Sequence, residues 1–168
     1  MEKSAAGVVY HEFGPLFDKN SRVLVLGTIP SPKSREQGFY YGHPRNRFWK
    51  ILAQVFGEPK PDSIEAKRAL ALNHHVALWD VLASCTIRGA EDASIKDAVP
   101  NDLDVILSQA DIKAIFTTGA KAAALYHKYC EPKTGISCIR LPSTSPANCA
   151  MGDGQLLEEY KKIRLYAG

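Results

Sequence analysis

The segment RVLVLGTIP, residues 22–30, decides the fold class of this chain. It is a run of aliphatic residues that ends at Gly27 and leads into a loop rich in Pro and Ser. An uninterrupted apolar run of this length favours a strand buried on both faces, which is typical of parallel sheets. Three further segments have the same character: VALWDVL (76–82), IKAIFTTG (112–119) and ISCIRLPS (136–143).

Helical patterns separate these predicted strands. They cover residues 46–56, 63–72, 102–110, 120–129 and 154–166, and Asn101 is expected to cap the third of them. Strands that alternate with helices predict an α/β fold, here a three-layer α/β/α sandwich around a central, mainly parallel four-stranded sheet. A length of 168 residues with 45% apolar content suits a single domain over residues 1–168.

Composition limits the partners and the cellular compartment that are expected for the protein. The formal net charge of +3 is compatible with a polyanionic partner, although many unrelated proteins share it. No apolar run approaches the ~20 residues of a membrane span, and MEKSAAGVVYHEF lacks the apolar stretch of a signal peptide, so a cytoplasmic protein without membrane contact is expected. The four cysteines contain no CxxC pair and are expected to be free thiols: Cys85, Cys130, Cys138 and Cys149.

The strand ends indicate where ligands bind. In open α/β sheets the ligand lies beyond the carboxyl ends of the strands. The predicted strands lead into loops rich in Gly, Pro, Ser, Thr and Asn, at residues 27–46, 82–101, 117–121 and 141–154. Two of these loops are too long for simple connections, and long loops in a compact domain are usually functional. Neither GxGxxG nor a P-loop is present, which leaves dinucleotide and nucleoside triphosphate binding without their sequence signatures.

The stretch QGFYYGHPRNRFWKIL, residues 37–52, is the most unusual of the loops. Phe48 and Trp49 are predicted to be core residues. For Tyr40 and Tyr41 the sequence does not decide between packing in the core and stacking on a ligand, and one of the two could turn inward. A ring at the mouth of a pocket suits a planar base, since base–aromatic stacking contributes roughly 1–3 kcal/mol and a neighbouring Arg attracts phosphate.

The segment LPSTSPAN, residues 141–148, forms the second candidate wall. Its two prolines stiffen the turn after the last predicted strand. Its hydroxyl and amide groups can donate hydrogen bonds to phosphate oxygens.

These three segments together resemble the uracil-DNA glycosylase superfamily. GTIPSP (27–32), FYYGHPRNRFW (39–49) and LPSTSPAN (141–148) follow the family order Gly-x-Asn-Pro-Gly, then His-Pro-x-Asn-Arg-Phe-Trp, then Leu-Pro-Asn-Pro-Ser-Gly. More narrowly, 27–49 and VALWDVLASC (76–85) resemble the hypoxanthine-DNA (deoxyinosine) glycosylase branch. Thr28 and Ile29 stand where mismatch-specific relatives place a water-activating Asn and uracil-specific relatives an Asp, and the His of the uracil-specific enzymes is missing from the last loop.

The resemblance implies a set of site residues. Catalysis in the hypoxanthine branch is attributed to an Asn, a role that passes to Asn46, although a helix cap is the alternative for that residue. The base-binding residues implied are Thr28, Ile29, Pro30, Tyr41 and His43. Asp80 joins them because it ends a predicted strand, where it is a candidate general base, with a turn-capping role as the alternative. The implied DNA-binding residues are Arg45, Arg47, Ser143, Thr144, Ser145, Pro146 and Asn148.

The implied reaction is hydrolysis of the N-glycosidic bond of a deaminated base, most simply hypoxanthine, flipped out of DNA. The expected enzyme is a monomer, has no lyase activity and needs no metal or cofactor. An iron–sulfur cluster is not expected, because the first cysteine is Cys85. The alternatives are a mismatch-specific uracil/thymine or xanthine DNA glycosylase, a free nucleoside hydrolase, and a nucleic-acid-binding relative without catalysis.

Overall fold

Two sheets and a set of helices make up the fold. A computed structural model describes residues 7–11, 13–89 and 91–168. The strands are β1 (Gly7–Tyr10), β2 (Val23–Gly27), β3 (Val76–Asp80), β4 (Leu82–Ile87), β5 (Lys96–Pro100), β6 (Ala114–Thr118) and β7 (Cys138–Leu141). The helices are α1 (Pro32–Gln37), α2 (Phe48–Val55), α3 (Ile64–Asn73), α4 (Asp104–Leu107), α5 (Ala120–Tyr129), α6 (Glu131–Thr134) and α7 (Asp153–Ala167).

The central sheet has the strand order β3-β2-β6-β7, and all neighbouring strands are parallel. These are the four strands predicted from the apolar runs, so the predicted α/β fold with a parallel four-stranded sheet is confirmed. All five residues of β2 and of β3 are buried. Because successive side chains point to opposite faces of a strand, both faces of the sheet are covered. Helix α5 packs against β6 and β7, α3 packs against β3, and α7 packs against α2 and β2.

The second sheet is antiparallel, with the order β1-β4-β5, and the sequence did not predict it. The expectation that residues 82–101 form one long loop is wrong, because this segment contains β4 and β5. The miss has a physical reason: β4 alternates between buried and partly exposed residues and carries Ser and Thr, so it lacks the continuous apolar run of a central strand. Only Val81 separates β4 from β3, and its N–H donates to the Gly27 carbonyl at 2.8 Å.

Local capping accounts for the helix boundaries. Ser63 accepts a hydrogen bond from the Ala66 N–H at 3.0 Å, which starts α3 as predicted. The expected cap at Asn101 is wrong: its Nδ2 donates instead to the carbonyls of Asp80 and Leu82, at 2.9 and 3.1 Å. Asn101 therefore joins the start of the second sheet to the end of the first, beside the strand ends where ligands are expected.

Candidate active site

A cavity of about 430 Å³ opens at the carboxyl ends of β2, β3 and β6. This volume lies within the ~300–1,000 Å³ typical of small-molecule pockets. Most of the predicted site residues line it: Thr28, Ile29, Pro30, Tyr41, His43, Asn46, Asp80, Ser143, Thr144, Ser145 and Pro146. Arg45, Arg47 and Asn148 do not line it. The three loops singled out in the sequence thus meet around one cavity.

The loop after β2 is held by backbone and serine hydrogen bonds. The carbonyls of Gly27 and Thr28 accept from the N–H groups of Val81 and Leu82, at 2.8 and 3.0 Å. Ser31 caps α1, and the buried Ser34 hydroxyl accepts from the Gly42 N–H at 2.9 Å. This last bond ties the beginning of the aromatic stretch 37–52 to the first loop, so both segments form one wall.

The aromatic stretch divides into core and pocket residues. Phe48 and Trp49 are buried as predicted, at 0% and 3% exposure. Tyr40 is the ring that turns inward: it is 3% exposed, and its hydroxyl donates to the Gly14 carbonyl at 2.9 Å. The Trp49 indole N–H donates to the Tyr40 carbonyl at 2.9 Å, which fixes the backbone immediately before Tyr41.

Tyr41 is held in an uncommon conformation beside the cavity. Its φ of 53° lies in the left-handed region, which side chains other than Gly adopt at a cost. Its ring stacks on Phe48 with centroids 3.9 Å apart and an interplanar angle of 13°. Its hydroxyl is buried without a hydrogen-bond partner among the described residues. This burial, together with the nearby charge of Asp80, raises the pKa of Tyr41.

Asn46 accepts a hydrogen bond from the first residue of α2 and also lines the cavity. Its Oδ1 accepts from the Phe48 N–H at 2.9 Å and from the Thr144 hydroxyl at 2.8 Å. Two donors on one oxygen fix the orientation of the amide, because the reversed orientation would place an NH₂ donor against them. The described residues provide no partner for Nδ2, which leaves an amide donor on a residue that lines the cavity. The two roles considered for Asn46 are therefore compatible.

Arg47 braces the last loop from within. Its guanidinium donates to the carbonyls of Met151 and Asn148, both at 2.7 Å, and to Asp153 at 3.3 Å. These contacts give Arg47 an internal role, and the DNA contact expected for it from the sequence stays a prediction. Asp153 also pairs with Lys50, and the hydrogen bonds from these two cations lower the pKa of its carboxyl group.

The neighbouring residues differ in whether their polar side-chain groups are already hydrogen-bonded within the protein. Asn148 is engaged internally, since its amide donates to the Ser143 carbonyl at 2.8 Å. Arg45 is exposed, and the described residues offer its guanidinium no hydrogen-bond acceptor. The Arg45 N–H donates to His43 Nδ1 at 3.0 Å, so the Nε2 side of that pocket-lining ring remains available. Of the two arginines, Arg45 is the more accessible to a phosphate, because the Arg47 side chain is 20% exposed and hydrogen-bonded internally.

Asp80 ends β3 and lies opposite Gly27 in the strand register. Its side chain is 7% exposed and lines the cavity, and among the described residues no backbone N–H donates to it, so it does not cap a turn. It lies 2.7 Å from His11 Nε2, a contact that the sequence did not predict. His11 follows β1 in a segment without periodicity, 69 positions from Asp80, so no local signal could have linked the two.

The described ranges contain neither a membrane-spanning helix nor a metal-binding cluster. None of the helices there combines the length and the apolar character needed to cross a bilayer. Within residues 7–11, 13–89 and 91–168, no cluster of three or more His, Cys, Asp or Glu side chains could hold a metal ion. The four cysteines are free thiols, as the sequence predicted.

The family model of the uracil DNA glycosylase superfamily matches residues 15–165. The chain belongs to the uracil DNA glycosylase superfamily. Its match spans all three loops around the cavity, which confirms the resemblance first drawn from those loops. Membership in this superfamily makes the chain a DNA glycosylase, an enzyme that acts on DNA.

Individual superfamily members agree with this placement. The chain is 34% identical over 112 residues to the hypoxanthine DNA glycosylase of Methanosarcina barkeri, covering 66% of this chain and 71% of that protein. It is 30% identical over 137 residues to the hypoxanthine DNA glycosylase of Methanosarcina acetivorans, covering 81% and 86% respectively. A solution NMR structure of a candidate uracil DNA glycosylase from Methanosarcina acetivorans superposes with a TM-score of 0.79 at 28% identity, covering 93% of this chain and 97% of that one.

Proposed function

We propose that this DNA glycosylase removes hypoxanthine from DNA by hydrolysing the bond between the base and deoxyribose, without lyase activity. The proposal rests on one observation: the loop after β2 has no catalytic side chain, whereas the amide of Asn46 is held in one orientation. Thr28 and Ile29 offer no acid or amide side chain, whereas Asn46 presents a fixed Nδ2 donor at the cavity. The names of the two Methanosarcina relatives support hypoxanthine as the substrate.

The proposed hydrolysis does not require the protein to supply a nucleophile. The N9–C1′ bond breaks with its electrons going to the base, water adds to C1′ of an oxocarbenium-like sugar, and the proton that the water releases ends on the departed base. Electrostatic stabilisation of the departing base is the main contribution available without a strong nucleophile. In this proposal the Asn46 amide donates to the leaving base or orients the water. Asp80 and the backbone of Thr28 to Pro30 contact the base, and Tyr41 stacks on it.

DNA would be held at the rim of the cavity. Arg45 and the polar groups of residues 143–146 are the proposed phosphate contacts. The nucleotide must leave the duplex to reach the cavity, at a cost of a few kcal/mol that is smallest for a poorly paired base such as hypoxanthine opposite thymine. We also infer that the protein acts as a monomer.

The lysines near the cavity support the proposed absence of lyase activity. Lys33 is the sole lysine among the described lining residues, and it is half exposed and lies 3.4 Å from Glu36. A Schiff-base lysine is instead activated by desolvation or by a neighbouring cation. The product is therefore expected to be an abasic site in an intact strand.

The test uses duplexes that carry hypoxanthine, uracil, xanthine or no lesion, each opposite every normal base. The expected result is fastest abasic-site formation at hypoxanthine, with strand breakage only after alkali. A preference for uracil or xanthine would reassign the substrate. Cleavage of free deoxyinosine with intact duplexes would indicate a nucleoside hydrolase, and binding without excision would indicate a module that lacks catalysis.

A further inference from the structure

A buried His–Asp pair lies beside the cavity, which Asp80 lines, and its histidine has no part in the proposed chemistry. His11 Nε2 lies 2.7 Å from Asp80 Oδ2, and the two side chains are only 3% and 7% exposed. The other carboxylate oxygen lies against Gly27, where an added Cβ would approach Oδ1 to 2.5 Å. One oxygen of Asp80 is thus held by His11, and the other belongs to a residue that lines the cavity.

The surroundings of His11 fix where its proton lies. Its ring is enclosed by Phe13, Tyr40 and Trp79, with centroids at 4.8, 6.0 and 6.4 Å. Its Nδ1 is buried and has no hydrogen-bond partner among the described residues. A proton on Nδ1 would be an unpaired buried donor, which costs about 1–3 kcal/mol. The geometry therefore places the single ring proton on Nε2, where it donates to Asp80.

This arrangement makes Asp80 an acceptor only. An ionised carboxylate carries no hydrogen of its own, so Oδ1 can only accept a hydrogen bond from a ligand. Without the His11 donor, Oδ2 would lose its hydrogen bond, and the carboxylate would no longer be held with Oδ1 against Gly27. His11 therefore fixes the orientation in which Asp80 offers Oδ1 as an acceptor.

Deamination changes the group that such an acceptor detects. Adenine N1 and cytosine N3 are hydrogen-bond acceptors, whereas hypoxanthine N1 and uracil N3 carry a hydrogen beside a new carbonyl. A fixed acceptor therefore attracts the deaminated base and repels the ring nitrogen of the normal one. We infer that His11 is a positioning residue that holds Asp80 as an obligatory acceptor for the ring N–H of a deaminated base. The inference rests on the proposed function and adds a means of rejecting adenine.

The test measures binding by the full chain to duplexes with 2′-fluoro-deoxyinosine or 2′-fluoro-deoxyadenosine opposite thymine, since the fluorine slows cleavage. The quantity compared is the affinity ratio, inosine over adenosine. In Asp80→Asn the His11 donor should hold the amide oxygen, which turns the NH₂ group towards the base. The ratio should then shift towards adenosine by at least ~10-fold, because the site's hydrogen-bonding pattern is reversed.

Variants of His11 provide the specific readout. His11→Phe fits the aromatic surroundings but removes the donor, and it should lower the ratio by ~10-fold or more. His11→Gln should restore most of the ratio, because its amide N–H can occupy the place of Nε2. His127→Phe, at an exposed histidine on α5, is the matched control and should leave the ratio unchanged.

The outcomes are separable. An unchanged ratio in folded Asp80→Asn and His11→Phe would overturn the inference, as would a failure of His11→Gln to differ from His11→Phe. If His11→Phe does not fold, Asp80→Asn decides alone, since it is isosteric and keeps the contact with His11. A wild-type chain that excises no hypoxanthine from unmodified duplexes would overturn the proposed function and this inference together, whereas excision with an unaltered ratio would overturn only this inference.

Discussion

Replacing Asn46 by Asp separates the hydrogen bonds that this side chain makes in the structure from its proposed catalytic role. The oxygen of Asn46 accepts hydrogen bonds from the Phe48 N–H and the Thr144 hydroxyl, at 2.9 and 2.8 Å. An aspartate can accept the same two bonds. What it lacks is the NH₂ donor that the proposed mechanism uses. The variant Asn46→Ala, in contrast, removes both the donor and the acceptor.

The effects on stability follow from these contacts. Asn46→Ala loses two hydrogen bonds, each worth about 0.5–1.5 kcal/mol, so the free energy of unfolding should fall by about 1–3 kcal/mol. Part of this loss comes from the Thr144 hydroxyl, which belongs to a residue only 2% exposed. Asn46→Asp should stay within ~1 kcal/mol of wild type, because a negative charge at a helix N-terminus is favourable.

The effects on catalysis should be alike in the two variants. Each should cut single-turnover excision of hypoxanthine by at least ~100-fold, the loss typical of removing one oriented electrostatic donor. A carboxylate can activate water but cannot donate to a departing base. Asn46→Asp should therefore be as stable as the wild-type chain and nearly inactive, a combination that a purely structural role does not produce.

The assay pairs chemical denaturation with single-turnover excision on the same protein preparations. Thr144→Val is the matched control: it removes the hydroxyl donor but keeps the amide, so the excision rate should fall by less than ~10-fold. Wild-type excision by a folded Asn46→Asp would refute the reasoning. Lower stability with an unaltered rate in Asn46→Ala would leave Asn46 as a helix cap alone.

Four other changes test the neighbouring contacts. Gly27→Ala places a Cβ 2.5 Å from Asp80 Oδ1, so displacement of the carboxylate should cut excision by up to ~100-fold, measured beside a melting curve that should change much less. Tyr41→Ala should lose ~1–3 kcal/mol of transition-state stabilisation if the base stacks there, whereas Tyr41→Phe should keep the rate; equal rates in all three proteins would assign the ring to packing alone. Arg45→Ala should lower the slope of log affinity against log salt for duplex DNA by ~1, and an unchanged slope would exclude a phosphate contact. Arg47→Ala should lower the melting temperature through loss of its contacts to Met151, Asn148 and Asp153, with no change in that slope.

The central sheet could be predicted because its signal is local. Residues 22–30 and 76–82 are continuous apolar runs, and burial on both faces demands such runs. The second sheet could not be predicted in the same way. Its strand β4 is covered on one side by β1 and on the other by β5, and its residues alternate in exposure. One of these partners, β1, is distant in sequence, and the β4 segment itself does not encode that pairing.

The candidate site also has parts with a local sequence signal and parts that depend on residues distant in sequence. Residues 27–49 and 141–148 carry motifs in their local order, so the walls of the cavity were predicted before their contacts were known. Contacts between distant side chains were not. The Arg47 side chain reaches carbonyls 101 and 104 positions away, which no local reading of HPRN could reveal. Pair contacts of this kind decide which arginine faces solvent and which braces a loop.

The loop after β2 has no acidic side chain, yet a carboxylate lines the cavity, and the parallel pairing of β2 with β3 explains why. Gly27 pairs with Asp80, so the carboxylate enters from β3 beside the place where other superfamily members present an acid or amide after β2. Because one of its oxygens is held by His11 and the residue is only 5% exposed, we do not expect Asp80 to take over water activation. In the proposed mechanism, departure of the base depends instead on the Asn46 amide. If this division is right, changes at Asp80 alter which base is bound, and changes at Asn46 alter how fast a bound base leaves.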